Sequence, residues 1–107
     1  MRHHEYFAYI ITNKNKTVLY IGVTNSLETR LSDHYFNQGK KSTFAGRYNC
    51  HFLIYYEFYS NVNDAIRREK EIKKWSRSKK EALINSTNPQ WKFLNEEIMP
   101  WPPTRPN

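Results

Sequence analysis

At 107 residues the chain is long enough for one compact domain with one core and too short for two ordinary ones. Aromatic residues make up 16% of it, so a core can form despite a mean hydropathy of -0.89. Lys and Arg total 17 against 10 Asp and Glu, a formal charge of +7, which suits a polyanionic partner such as nucleic acid. Cys50 is the only cysteine, which excludes an internal disulfide and a thiolate zinc cluster and points to a reducing, cytoplasmic setting. No stretch approaches the roughly 20 apolar residues of a membrane helix, and the polar start of the chain is unlike a secretory signal. The terminal pair His3 and His4 has no further ligands nearby and reads as functionally silent.

Residues 6–12 and 17–24 are rich in β-branched and aromatic side chains, with the polar stretch Asn13-Lys14-Asn15-Lys16 between them, which predicts a β-hairpin. Asn25 then offers a helix cap with Glu28 three positions on, as a capping box requires, and a helix follows to about Asn37 before Gly39 ends it. Residues 40–49 read as a basic polar loop around Gly46. Residues 50–59 are apolar almost throughout, which predicts a third strand at the centre of the sheet. Asn61 or Asn63 opens a second helix to about Trp75, whose lysine-rich end suits the negative pole of the helix dipole. Ser76 caps a third helix reaching about Asn85, Ser86-Thr87-Asn88-Pro89 breaks it, and residues 91–98 form a last helix or turn. The order ββαβαα predicts the α+β class: a small three-stranded antiparallel sheet flanked by helices. Residues 1–99 form a single domain, followed by a mobile proline-rich tail over 100–107.

If the hairpin loop is symmetric about Lys14 and Asn15, Tyr9 and Tyr20 face each other across the strands. Such a pair either packs as an aromatic contact or converges two hydroxyls on a ligand. Gly22, on the same face as Tyr20, marks a place where a ligand or another chain segment comes close. On the first helix Arg30 and His34 are four apart at the edge of the stripe made by Leu27, Leu31 and Tyr35. A guanidinium there can fork onto phosphate oxygens and an imidazole can pass a proton near neutral pH; the alternative is a solvated helical pair. On the second helix, at about 100° per residue, Glu69 falls about 40° from Ala65, inside the stripe of Val62, Ala65, Ile66 and Ile72. A carboxylate in that position must be compensated, either by an arginine or lysine or by a hard divalent cation.

Phe7-Ala8-Tyr9, then Tyr20-Ile21-Gly22, then Arg30, His34 and Glu69 within the run from Ala65 to Arg77, together resemble the GIY-YIG nuclease domain. The resemblance spans residues 6–84. It is in particular to small standalone bacterial proteins similar to the N-terminal nuclease domain of the excinuclease C subunit. It implies that Tyr9 and Tyr20 are the two motif tyrosines, Arg30 the phosphate-contacting arginine, His34 a site holding His or Tyr, and Glu69 the metal ligand. Asn85 or Asn88 would supply the asparagine many members place late in the domain. Phe7 and Ala8 depart from the motif, standing where Gly and Ile give the family its name, while the tyrosine is kept.

The resemblance further implies a metal-dependent endonuclease hydrolysing DNA phosphodiesters in repair, recombination or other DNA processing. One Mg²⁺ or Mn²⁺ per site, no small-molecule cofactor, and a monomer or weak dimer are expected. The DNA is single-stranded, duplex or branched, gripped along its backbone by the basic loop with Lys40, Lys41 and Arg47 and by Lys73 and Lys74. Tyr9 would take the proton of the attacking water, directly or through Tyr20 or His34, and Arg30 would hold a non-bridging oxygen. Two other readings compete. A catalytically weak nucleic-acid-binding module on the same fold draws on Phe7 and Ala8, and a protein-contact helper domain draws on Trp101 and the prolines around it.

Overall fold

The computed structural model describes residues 4–105, so His3, Pro106 and Asn107 lie outside the described residues. Strands β1 (Tyr6–Thr12) and β2 (Leu19–Thr24) form the expected hairpin with a longer loop than the symmetric one. Asn13 Oδ1 accepts from the backbone N–H groups of Thr17 and Val18 at 2.8 and 3.1 Å, and Lys16 turns the chain in the left-handed region at φ 60°. Thr17 and Val18 are thereby drawn into the turn, and the register moves by two. Tyr9 faces Gly22 and Tyr20 faces Ile11, in place of the expected Tyr9–Tyr20 pairing. Because side chains alternate with period two, a slip of two keeps both tyrosines on one face.

Helix α1 (Leu27–Phe36) is capped by Ser26 rather than Asn25: Ser26 Oγ accepts from Thr29 N at 3.2 Å. The Thr24 hydroxyl decides this by holding the Ser26 backbone, accepting from its N–H and donating to its carbonyl, both at 3.1 Å. The segment expected to be plain loop contains a single helical turn, α2 (Phe44–Arg47), where Thr43 Oγ1 accepts from Gly46 N at 3.0 Å.

Strand β3 (Phe52–Tyr59) pairs only with β1, in the sheet order β2-β1-β3, so β1 is central and β3 an edge strand, contrary to expectation. Its first half reads as a central strand because the C-terminal part of the chain closes its outer side. Leu94 N donates to the Leu53 carbonyl at 2.7 Å, Asn95 Oδ1 accepts from Leu53 N at 2.9 Å, and Asn88 Nδ2 donates to the Ile54 carbonyl at 3.0 Å.

Helix α3 (Val62–Lys73) is capped by Asn61, which decides between the two candidates Asn61 and Asn63, and α4 (Arg77–Thr87) by Ser76 as expected, with α4 running two residues past Asn85. A last turn, α5 (Asn95–Ile98), completes the order ββααβααα; the departure from ββαβαα is the two single-turn helices α2 and α5. The class is α+β with a three-stranded antiparallel sheet. No helix among the described residues is long and apolar enough to cross a membrane.

The two faces of the sheet carry separate core clusters. Tyr9, Ile11 and Leu53 pack with Leu27 and Leu31 of α1, while Ile10, Ile21 and Ile54 pack with Ile72 of α3 and Ile84 of α4. Each such aliphatic side chain contributes about 1.5–3 kcal/mol by leaving water. Helix α3 is also fixed in rotation. Arg68 donates from Nε and Nη2 to the two carboxylate oxygens of Glu57 at 2.9 and 3.0 Å, and the hydroxyls of Tyr55 and Tyr59 donate to the same group. Burial alone would raise the Glu57 pKa, but the hydrogen bonds from Arg68, Tyr55 and Tyr59 hold it below the usual carboxylate value. In the tail, Met99 and Trp101 pack against the first cluster, Trp101 meets Tyr35 edge-on at 5.3 Å, and the Arg105 guanidinium lies 4.5 Å from the centre of the Phe36 ring.

Asn95 is 1% exposed and spans the edge of β3, its Nδ2 donating to the His51 carbonyl at 2.9 Å while Oδ1 takes the Leu53 N–H. Asn95→Ala leaves two buried backbone groups without partners, and is expected to lower unfolding free energy by about 2–4 kcal/mol in urea denaturation. A loss below about 0.5 kcal/mol, the scatter of a surface substitution, would show that this side chain does not hold the edge.

Candidate active site

Tyr9 is 2% exposed and its hydroxyl lies 3.0 Å from His34 Nε2. Its ring crosses directly over Gly22, where any Cβ would overlap the phenol oxygen and ring carbons. The strand glycine therefore marks close approach, and what approaches is the catalytic-candidate tyrosine itself. Burial raises the Tyr9 pKa well above the ordinary phenol value; Tyr20 pushes the same way, Arg30 opposes, and the charges of Glu69 and Asp33 add to the rise. Tyr9 is thus a neutral phenol at physiological pH.

His34 is its complement. Burial and then the nearby Arg30 charge bring the imidazole down to about 4, with Asp33 opposing. A neutral imidazole has one donor and one acceptor nitrogen, so either the Tyr9 O–H donates to Nε2 with the ring proton on Nδ1, or Nε2–H donates to the Tyr9 oxygen. Tyr20 stands beside this pair, its ring centre 5.5 Å from that of His34. Arg30, one turn before His34 on α1, is exposed and takes part in none of the ion pairs among the described residues. Its guanidinium is available to an anion.

Glu69 comes from α3, which packs on the opposite face of the sheet through Ile72. Its side chain is 14% exposed, and its charge is close enough to act on the Tyr9 phenol. One partner its buried position demands is a lysine of its own helix: Lys73 Nζ lies 3.3 Å from Glu69 Oε2. Lys73, expected to grip a nucleic-acid backbone, is therefore engaged with the acidic residue, while Lys74 caps α3 and is exposed. Lys40, Lys41 and Arg47 are exposed around α2, where Arg47 Nη2 donates to the Lys41 carbonyl at 3.0 Å.

The late asparagines serve the fold. Asn88 spends its amide on the backbone of Ile54 and Lys92, and Asn85 accepts from Trp91 Nε1 at 2.6 Å. The two motif departures leave Tyr9 undisturbed: Ala8 is fully buried, and Phe7 meets Tyr56 and Phe58 edge-on at 6.1 and 5.8 Å. Two aromatic residues of the basic polar loop also stand exposed here: the Phe44 ring lies 6.1 Å from that of Tyr20, and the Tyr48 ring 4.9 Å from that of Phe44.

Comparison with known proteins identifies the family that carries this site. A family model described as the GIY-YIG catalytic domain matches residues 5–82. The chain is 38% identical over 92 residues to a UPF0213 protein of Clostridium perfringens, covering 86% of this chain and 96% of that one. It is 35% identical over 80 residues to a UPF0213 protein of Staphylococcus haemolyticus, covering 75% and 94%. The solution NMR structure of a UPF0213 protein from Bacillus halodurans superposes with a TM-score of 0.52 at 26% identity, covering 89% of this chain and 98% of that one. The buried Tyr9–His34 pair with Tyr20 beside it is thus carried by a nuclease fold. The chain belongs to the GIY-YIG family, as a small protein akin to the UPF0213 proteins.

Two outcomes follow from the Tyr9–His34 contact. Gly22→Ala forces the Tyr9 ring out of place and is expected to cost about 1–3 kcal/mol in chemical denaturation, with a near-ultraviolet circular dichroism change reporting the displaced tyrosine. An unchanged spectrum and stability would contradict the overlap. For pH, an unfolded His34 binds its proton near 6.5 but the folded one only near 4, so between these values the unfolded chain binds more protons and acidification favours unfolding. Stability is expected to fall as pH drops through this window. His51, also held down by burial, contributes in the same direction, so His34→Gln should flatten the slope without abolishing it.

Proposed function

We propose that this chain is a divalent-metal-dependent endonuclease that hydrolyses phosphodiester bonds in DNA, single-stranded or structured. It would act in repair, recombination or another DNA-processing reaction, as a cytoplasmic monomer or weak dimer needing no small-molecule cofactor. One observation carries the reading: the buried Tyr9 hydroxyl is hydrogen-bonded to a neutral His34 and feels both a free guanidinium, Arg30, and a carboxylate, Glu69.

The donor set fits a single hydrated Mg²⁺ or Mn²⁺. Among the described residues no group of three His, Cys, Asp or Glu side chains could enclose a cation, and a hard ion of this kind needs only one or two carboxylates when water and substrate phosphate complete its shell. Glu69 would hold it, beside Lys73, whose Nζ lies 3.3 Å from Glu69 Oε2. When bound, the metal would supply neutralisation of the phosphate charge and stabilisation of the leaving oxygen.

The remaining chemistry falls to the chain. Arg30 holds a non-bridging phosphate oxygen and offsets the charge that grows there. Tyr9 Oη takes a proton from the attacking water as its own proton passes to His34 Nε2, so no free phenolate is formed. The water oxygen bonds to phosphorus while the bond from phosphorus to the 3′ oxygen breaks. A phosphate on Arg30 also compensates the charge that, after burial, holds the His34 pKa down, so substrate binding makes the imidazole a better proton acceptor. A catalytically weak nucleic-acid-binding module remains the competing reading, favoured by the Lys73 ion pair that occupies a Glu69 oxygen.

Supercoiled plasmid and single-stranded oligonucleotides are expected to be cut only when Mg²⁺ or Mn²⁺ is added. Glu69→Ala and Arg30→Ala should each lower the rate by about 10²–10³-fold with unchanged circular dichroism. Cutting that survives EDTA would overturn the metal assignment, and salt-sensitive binding with no cleavage in either metal would favour the binding module.

A further inference from the structure

Around the pair just described runs a chain of rings that leads from the interior to the surface. Tyr9 and His34 have ring centres 6.1 Å apart, Tyr20 and His34 5.5 Å, Tyr20 and Phe44 6.1 Å, and Phe44 and Tyr48 4.9 Å. Tyr9 is 2% exposed, whereas Phe44 and Tyr48 are 52% and 43% exposed. Two large aromatic side chains side by side in solvent are not needed by the core, because α2 buries Ala45 and Gly46 instead. The exposed pair belongs to a basic segment: Arg47 lies between its two members in sequence, and Lys40 and Lys41 precede it, all exposed.

The ledge is held rigidly. The Gly39 N–H donates to the Gly46 carbonyl and the Cys50 N–H to the Ala45 carbonyl, each at 2.8 Å, and Arg47 grips the Lys41 carbonyl. A Cβ at Gly46 would overlap the carbonyls of Lys40 and Asn37, so the loop backbone is packed tightly against α2. A fixed aromatic face needs little ordering when a planar ligand settles on it.

We propose that Phe44 and Tyr48 form a stacking subsite for an unpaired base of the DNA strand next to the scissile phosphate, with Arg47, Lys40 and Lys41 tracking its backbone. The ligand chemistry follows from the surface: a flat π-face beside a row of cations fits a nucleobase joined to phosphate. The continuity with Tyr20 places this base beside the phosphate held at Arg30. In an intact duplex both faces of each interior base are covered by its neighbours, so the subsite selects single-stranded or locally opened DNA. This rests on the endonuclease reading for its catalytic consequence, and on the exposed rings alone for its binding consequence.

The test uses the full chain with Phe44→Ala/Tyr48→Ala, and a single Phe44→Leu variant that keeps apolar bulk but removes the π-face. Fluorescence anisotropy in EDTA would measure binding to a single-stranded oligonucleotide and to its duplex. Stacking lost from one or two rings is expected to weaken single-strand binding by about 10- to 100-fold while duplex binding changes by less than about 2-fold. Phe44→Leu should share the single-strand loss in part, and 2-aminopurine in the strand should be quenched by the unmodified chain and not by the double variant. Equal losses on both DNAs, or unchanged single-strand binding and quenching, would overturn the subsite. Because none of these readouts needs cleavage, the two readings fail separately. Quenching and selective binding without cutting in any metal would retire the endonuclease and keep the subsite, whereas metal-dependent cutting by a double variant that binds single strands normally would do the reverse.

Discussion

The contact between the Tyr9 hydroxyl and His34 Nε2 is the constraint on which the site depends, and it is possible only because Gly22 has no side chain. Three separate demands meet there. The hairpin must place Tyr9 opposite Gly22, α1 must bring His34 over the sheet, and both groups must be neutral in a site that excludes water. Burial enforces the last condition on both partners at once, raising the phenol and lowering the imidazole. The same water-poor environment that stabilises the pair as a proton-sharing unit makes each member a poor acid or base alone, so its chemistry must be concerted or be switched by an incoming charge.

Charge is distributed to fit that requirement. The molecule carries +7, yet its arginines have different employments. Arg68 is committed to Glu57 and Glu71 and lies over Trp75, which locks the rotation of α3 and with it the position of Glu69 one residue along. Arg30 has no ion-pair partner among the described residues and sits where its charge reaches both Tyr9 and His34. Arg47 works on the backbone of its own loop and still presents its surface beside the exposed rings. One cation builds, one stands beside the Tyr9–His34 pair, and one flanks the proposed path of the strand.

The C-terminal third of the chain contributes to this site indirectly. By closing the outer edge of β3 with Asn88, Leu94 and Asn95 it removes the open hydrogen-bonding row that an edge strand would otherwise present, and it leaves β1 in the middle of the sheet with Tyr9 on a rigid strand. Met99 and Trp101 then cover the α1 side of the core. The late asparagines that the family resemblance offered as site residues are used for this closure and for the Trp91 contact.

Much was legible from local pattern. Which residues form strands and helices, the caps at Asn61 and Ser76, and the burial of Glu69 on an otherwise apolar stripe all follow from periodicity and short-range hydrogen bonding, because these depend on neighbours within a few positions. The shared face of Tyr9 and Tyr20 was legible too, surviving an error of two in register because strand side chains alternate with period two. What remained hidden depends on partners far along the chain or on turn geometry that residue types alone leave open. The Asn13 side chain decided the hairpin register, and residues 88–95 decided that an apolar strand could stand at an edge. Local sequence determined which groups each element carries and which way they face; tertiary packing alone decided which of them meet, since encounters between distant segments are set by how whole faces bury one another and not by spacing along the chain.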